Sequence, residues 1–130
     1  MTDQVKITAF ETVGQDNRGI TCKFNLPRKQ DQYIYITRKA GSLSGNTYHT
    51  GKNSGTSPKL FLLVSGEIKL LYRIIGSNIV LSKLIDKPCI IEILPMTTHK
   101  VEAITDIVMF ECNSIENIQS DRIKENVELN

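Results

Sequence analysis

The sequence predicts an all-β fold, either a sandwich or a barrel. Short segments of alternating apolar and polar residues recur along most of the chain, and clusters of Gly, Pro, Asn and Asp separate them. Helical spacing is confined to the C-terminal tail. At 130 residues the chain is the size of one domain with one core, so we expect a single domain over residues 1–130.

The first third of the chain predicts three strands. Apolar residues alternate with polar ones over residues 5–10 and again over 20–24, and the turn-forming sequence GQDNRG lies between them at 14–19. In the run 33–37, the residues Tyr33 and Tyr35 fall on one face and the two isoleucines on the other.

The centre of the chain predicts a strand at 47–49, a loop and a buried strand. The loop Thr50–Pro58 contains two glycines, two serines and a proline, which is typical of a long, mobile connection. The strand Leu60–Val64 is continuously apolar, which predicts that it belongs to the core. Residues 67–75 and 79–85 flank the sequence GSN and predict a β-hairpin.

The remaining segments predict three more strands, at 89–94, 99–104 and 106–112. In the tail, apolar residues at helical spacing predict a short helix with one weak apolar stripe, formed by Ile115, Ile118, Ile123 and Val127.

Composition argues against several classes of partner. Sixteen basic and 14 acidic residues give a net charge of +2, and the basic residues are scattered, so we expect neither nucleic acid nor a membrane surface as partner. The N-terminus lacks the pattern of a signal peptide, which predicts a soluble cytoplasmic protein. Cys22, Cys89 and Cys112 have no metal-binding spacing, and we expect reduced, buried thiols.

Two histidine motifs organise the candidate site. The first runs Gly-x-x-x-His from Gly45 to His49 and is followed by the loop and by the apolar strand that ends at Gly66. The second is Pro-x-x-x-His, from Pro95 to His99. Because alternate residues of a strand share a face, Thr47 and His49 are predicted to point the same way.

This order of motifs resembles the two-part motif of the cupin superfamily, whose fold is a double-stranded β-helix or jelly roll. Within it, the chain is most similar to sugar-nucleotide ketoisomerases and epimerases and to the cupin domain of capsule-biosynthesis enzymes. The resemblance rests on four stretches in the same order: DNRG at 16–19, YITRKAGSLSGNTYH at 35–49, LFLLVSGEIKL at 60–70 and ILPMTTHKVE at 93–102.

The resemblance implies a site inside the barrel. It makes His49 the candidate base and Tyr35 a candidate acid or hydrogen-bond donor, since proton transfer next to a ketone needs a base whose pKa lies near the working pH. Thr47, Lys59 and His99 are the expected ligand-binding residues. It also implies a homodimer, because an exposed edge strand needs covering.

The chain departs from this family at three positions. Ser44 stands where relatives carry arginine before the glycine, and Thr47 stands where they carry the first histidine of His-x-His. Lys59 or Pro58 occupies the region where metal-binding cupins place a glutamate. A cupin metal needs about three or four N and O donors. Only His49 and His99 remain, so we expect no metal and no other cofactor.

Two function classes follow. One is a metal-free keto-sugar-nucleotide isomerase or epimerase of polysaccharide biosynthesis that uses His49. The other is a non-catalytic cupin that binds a small polar ligand or acts as an assembly module, with His49 and His99 as interior residues of no catalytic role. A metal-dependent dioxygenase-type cupin ranks last because its ligand set is short. The fold alone does not separate these classes.

Overall fold

The computed structural model describes residues 3–129, so both ends of the predicted 1–130 domain lie outside the described residues. Across that range the elements, in order, are β1 Val5–Ala9, β2 Glu11–Asp16, β3 Gly19–Lys23, β4 Ile34–Arg38, β5 Leu43–Tyr48, a 3-10 turn Ser54–Thr56, β6 Lys59–Ser65, β7 Ile68–Ile74, β8 Leu81–Ile85, β9 Cys89–Ile93, β10 Thr97–Ala103, β11 Ile107–Glu111, α1 Ile115–Ser120 and β12 Ile123–Lys124. The all-β prediction is confirmed.

Two five-stranded antiparallel sheets form the body of the fold. The first has the order β1-β9-β6-β11-β4 and the second has the order β12-β5-β10-β7-β8. Apart from the hairpin β7–β8, strands that are neighbours in a sheet are distant in sequence, so the chain crosses repeatedly between the sheets, as in the jelly roll that the resemblance implied. The strands β2 and β3 form a separate two-stranded sheet.

The core lies between the two sheets, with a smaller cluster on the outer face of the first. The main cluster includes Leu63, Ile68, Leu70 and Ile91, each at most 1% exposed. Behind the first sheet, a second cluster contains Leu60, Leu62, Ile90 and Cys112, covered by Phe10, Leu26 and Phe110. The strand β6 is therefore buried on both faces, which explains why its sequence is continuously apolar instead of alternating.

The predicted hairpin is confirmed, since Ile68 of β7 pairs with Ile85 of β8. The turn predicted at 14–19 is shorter than expected, because β2 continues to Asp16 and β3 begins at Gly19. The prediction of one apolar stripe along the tail is wrong beyond the first turns: α1 ends at Ser120, and the chain then becomes the short strand β12.

The burial of the three cysteines and the properties of the helices bear on the predictions from composition. Cys89 and Cys112 are buried and reduced, whereas Cys22 is only half-buried. Burial raises the pKa of the Cys89 and Cys112 thiols to about 11, so both are protonated and unreactive at neutral pH. Over residues 3–129, no helix combines the length and the apolar character needed to cross a membrane.

Candidate functional site

A cavity of about 460 Å³ opens between the two sheets. Strands β4, β6 and β11 line it from the first sheet, strands β5 and β10 line it from the second, and the C-terminal segment from α1 to β12 lines it as well. The volume suits a small-molecule ligand. Its polar lining residues are Arg38, Ser44, Thr47, Lys59, His99, Glu111, Gln119, Arg122 and Lys124.

Lys59 is the charged group at the centre of the site. It begins β6, is 5% exposed and lines the cavity. Its Nζ lies 2.7 Å from Nε2 of His49 and 3.2 Å from Oε2 of Glu111. Burial lowers the pKa of Lys59, and the ion pair with Glu111 opposes that shift. Of the three protons of the ammonium, one is donated to His49 and another faces Glu111 without an aligned hydrogen bond, so a third N–H remains for a ligand.

His49 lies behind Lys59 and does not line the cavity. It is 2% exposed, and its Nδ1 donates to the main-chain carbonyl of Asp121 while its Nε2 accepts a hydrogen bond from Lys59. Burial, together with the charge of Lys59, lowers the pKa of His49 to about 4. The imidazole is therefore neutral at pH 7, and both of its nitrogens are engaged.

His99 lines the cavity directly. Its Nδ1 donates to the main-chain carbonyl of Thr97 at 3.0 Å, which leaves the lone pair on Nε2. The ring centroids of His99 and His49 are 5.7 Å apart. Burial, and then the charge of Lys59, lower the pKa of His99 to about 3, so this imidazole is neutral as well.

The structure brings three of the five predicted site residues into the cavity. Thr47 pairs with His99 across β5 and β10, and both line the cavity together with Lys59. Tyr35 is not brought there: its side chain is on the outer face of β4, is 64% exposed and packs against Phe110 with ring centroids 5.5 Å apart.

Gly45 fixes how β5 passes His99. Its φ is +113°, and a Cβ at this position would lie 2.6 Å from the carbonyl oxygen of His99. The register between β5 and β10 shifts between His99 and Lys100, which marks a bulge at this contact. Only glycine allows the two backbones to approach this closely with a positive φ, so the Gly-x-x-x-His motif has a structural cause.

Asp121 ties the C-terminal segment to the loop after β5. Its carboxylate accepts hydrogen bonds from N and Oγ1 of Thr50 (both 2.8 Å), from N of Gly51 (2.9 Å) and Lys52 (3.1 Å), and from Oγ1 of Thr56 (2.7 Å). Burial alone would raise the pKa of Asp121, but these hydrogen bonds outweigh it and hold the pKa well below its usual range. The loop predicted to be mobile is thus anchored at several points.

Sequence reasoning missed Glu111, Asp121 and the arginines of the cavity. A signal for Glu111 is present, because it shares the inward face of β11 with Ile107 and Met109 at positions i, i+2 and i+4. The contact between Asp121 and the loop joins residues about seventy positions apart, and no local pattern encodes it.

The residues present do not fit a cupin metal. His49 has no free nitrogen lone pair, and Lys59 brings an ammonium to the position where a ligand would stand. Over the described range 3–129, no three His, Cys, Asp or Glu side chains are grouped to hold a metal ion. We derive no chemistry through a metal.

The two antiparallel sheets with a cavity between them form the jelly roll of a cupin. The family model of the polysaccharide biosynthesis C-terminal domain matches residues 14–122, and the chain belongs to that family. No curated protein sequence matches the chain.

Solved structures with this fold include enzymes of sugar-nucleotide metabolism. QdtA, a sugar 3,4-ketoisomerase from Thermoanaerobacterium thermosaccharolyticum in complex with TDP, has a TM-score of 0.72 at 15% identity, over 96% of this chain and 90% of that one. RmlC, a dTDP-6-deoxy-D-glucose-3,5-epimerase from Legionella pneumophila, has a TM-score of 0.65 at 14% identity, over 95% and 73%.

The capsular polysaccharide assembling protein CapF from Staphylococcus aureus has a TM-score of 0.63 at 23% identity. The match covers 91% of this chain but 34% of CapF, so the chain spans about a third of that protein. All three likenesses show the shared fold.

Proposed function

We propose that this chain binds a sugar nucleotide in its cavity and moves a proton next to the ketone of a keto sugar, without a metal. The reaction class is isomerisation or epimerisation in polysaccharide biosynthesis. Membership of the polysaccharide biosynthesis family supports the setting, and the ligands of QdtA, which has been solved with TDP and with TDP-4-keto-6-deoxyglucose, suggest the substrate class. The predicted homodimer and cytoplasmic location stay predictions.

One observation carries the proposal: a buried lysine faces the cavity between a histidine and a glutamate. Removing a proton next to a ketone places negative charge on the ketone oxygen. A fixed ammonium in a site shielded from water stabilises that charge far more than one in bulk solvent. Lys59 supplies such a group, because His49 and Glu111 hold its Nζ from two sides.

His49 has a different place in this scheme from the one that its sequence motif suggests. Its Nε2 already accepts a hydrogen bond from Lys59, so it is not free to take a proton from a substrate. The hydrogen bond from Nδ1 to the carbonyl of Asp121 fixes the tautomer. We therefore propose that His49 positions Lys59 and reaches the ligand only through it.

Three exposed cations at the cavity suit the diphosphate of a nucleotide. Arg38, Arg122 and Lys124 all line the cavity, and guanidinium groups bind phosphate oxygens in pairs. Nε of Arg38 donates to Oγ of Ser44 at 3.0 Å, so a guanidinium stands beside the position where relatives carry arginine before the glycine.

A second function is favoured by the environment of His49. Both of its nitrogens are engaged and its ring is outside the cavity, as expected for an interior histidine of no catalytic role. In that case the cavity binds a sugar nucleotide or another small polar ligand without turning it over.

The experiment combines binding with turnover. Thermal unfolding is followed with TDP and with TDP-4-keto-6-deoxyglucose, and NMR then follows conversion of the keto sugar by chelator-treated protein. We expect both ligands to raise the melting temperature and the treated protein to convert the keto sugar. Lys59→Gln keeps hydrogen-bonding groups in place but removes the charge, and should lower turnover about a hundredfold or more.

Lys6→Gln, at an exposed position of β1, is the matched control and should behave like the wild type. Binding without conversion would support the non-catalytic function. Conversion that is lost with the chelator and restored by a divalent metal would contradict the metal-free proposal.

A further inference from the structure

Glu111 stands out among the residues of the cavity. It ends β11, is 6% exposed, and follows Ile107 and Met109 along the inward face of the strand. Of the lining residues that the structure describes, it is the single carboxylate. A glutamate so deeply buried needs a reason, because burial of a charge is costly unless the charge is paired and hydrogen-bonded.

The carboxylate of Glu111 is only partly compensated. Its Oε2 lies 3.2 Å from Nζ of Lys59, but it accepts no aligned hydrogen bond from any residue between 3 and 129. The carboxylate of Asp121, by contrast, accepts five. A buried acceptor without a donor is an unusual feature of a folded protein, and one common reason for it is a ligand or a catalytic role.

The other candidate bases are less well placed. His49 has its Nε2 occupied by Lys59, and Tyr35 is on the outer face of the sheet. His99 keeps a lone pair on the cavity side, but burial, and then the charge of Lys59, oppose its protonation, because it would become a second buried cation, whereas Glu111 becomes neutral when it takes a proton. Glu111 lies on the cavity wall and forms an ion pair with Lys59, whose ammonium is placed to stabilise negative charge on the substrate.

We infer that Glu111 is the base that takes the proton from the carbon next to the ketone. This inference rests on the proposed function. The C–H bond breaks, its proton goes to a carboxylate oxygen of Glu111, and its electron pair forms the carbon–carbon double bond of an enediolate. The negative charge moves to the former ketone oxygen, against the ammonium of Lys59.

Completion of the reaction returns every proton. Lys59 donates a proton to the former ketone oxygen and recovers one from the neighbouring hydroxyl, and protonated Glu111 delivers its proton to the former ketone carbon. The ketone and the hydroxyl have then exchanged places, and both side chains regain their starting states. A single carboxylate serves one face of the sugar, so the site is suited to ketoisomerisation, whereas epimerisation needs a second proton donor on the opposite face.

The test uses TDP-4-keto-6-deoxyglucose in D₂O. NMR detects deuterium that enters the substrate at the carbon next to the ketone and the product at the former ketone carbon. Glu111→Gln preserves the shape of the side chain and removes its basicity. We expect exchange and kcat to fall about a hundredfold or more, with KM and the thermal shift by TDP within a few-fold of the wild type. Glu102→Gln, a glutamate of β10 that does not line the cavity, should exchange at the wild-type rate.

Glu111→Asp is a second variant in case Glu111→Gln does not fold, because aspartate keeps the negative charge beside Lys59. Its shorter side chain should lower exchange at least tenfold while TDP binding is retained. Wild-type exchange rates in both Glu111 variants, together with a large loss in His99→Asn, would overturn the assignment and leave the proposed function in place. If the wild-type protein itself neither exchanges nor converts the keto sugar, the proposed function fails with it.

Discussion

Replacement of Asp121 by alanine should remove the anchor that holds the C-terminal segment over the cavity. Asp121 is 3% exposed, and its carboxylate satisfies three main-chain N–H groups and two hydroxyls. The hydroxyls of Thr50 and Thr56 can rotate toward other acceptors, but the three N–H groups are fixed by the loop. These hydrogen bonds are only part-buried, since Thr50 and Lys52 are exposed and Gly51 is half-buried, so the loss of each costs about 0.5–1.5 kcal/mol.

Three such hydrogen bonds give an expected loss of about 2–4 kcal/mol in the free energy of unfolding. That loss is a large share of the roughly 5–15 kcal/mol that stabilises a typical domain. The assay is urea unfolding at pH 7, combined with hydrogen exchange at the amides of Thr50, Gly51 and Lys52. These three amides should be protected in the wild type and exchange faster in the variant.

Asp106→Ala is the matched control. Asp106 is exposed and accepts one main-chain hydrogen bond, from Ala40 at 2.9 Å, so its loss should cost less than about 1 kcal/mol. If Asp121→Ala also costs less than 1 kcal/mol and the three amides stay protected, the anchor is not what holds the segment.

The anchor should also depend on pH. The pKa of Asp121 is held below its ordinary value of 3.8 in the folded chain, so the unfolded chain takes up a proton first as the pH falls. The stability from this carboxylate is therefore fully present above the ordinary value and is lost as the pH falls through the folded pKa. The stability difference between wild type and Asp121→Ala should shrink in strong acid.

Three further predictions concern the site. His49 and His99 both lie near Lys59, and their pKa values in the folded chain are lowered from 6.5 to about 4 and about 3. As the pH falls below 6.5, the unfolded chain therefore binds protons before the folded chain does. The free energy of unfolding should drop by at most about 1.4 kcal/mol per pH unit for each histidine. Urea unfolding at several pH values between 7.5 and 5 checks this, and a flat profile would contradict the buried, neutral state of both rings. Gly45→Ala should cost about 2 kcal/mol or more, because a Cβ would meet the main chain of His99 at a positive φ; wild-type stability in urea would show that the strands separate easily. Lys59→Met should cost about 3–5 kcal/mol by leaving Glu111 buried and unpaired, and adding Glu111→Leu should restore much of it; a double variant no more stable than the single one would argue against the ion pair.

The fold was predictable where strands are half-buried. Alternation identified β1, β4 and the hairpin β7–β8, because one face of each packs on the core and the other meets solvent. The strand β2 was not predicted. All six of its residues are exposed, so no face of the strand has to be apolar and its sequence shows no alternation. The helix α1 was predicted from its spacing, but the end of the helix was not, because β12 forms by pairing with β5 from a distant part of the chain.

The site could be predicted only for residues that lie within a strand, where alternation determines the direction of the side chain. Thr47, Lys59 and His99 lie in the cavity because each has an inward position on a strand next to it. His49 follows the last residue of β5, so the face it shares with Thr47 no longer determines its direction. Its two partners, the side chain of Lys59 and the carbonyl of Asp121, come from other parts of the fold.

The alternation of inward and outward residues in β4 and β11 was a better guide to the site than the choice of Tyr35. In β4 the isoleucines at 34 and 36 face the core, so Tyr35 must face outward, whereas Arg38 continues the inward row and reaches the cavity. In β11 the row of Ile107 and Met109 ends in the same way, with Glu111. Each of these rows ends in a charged residue: Glu111 is buried, which is expensive for a charge, whereas Arg38 is exposed. In this chain both such residues lie on the cavity wall, which is why we assign the chemistry to Glu111 and the anionic end of the ligand to Arg38.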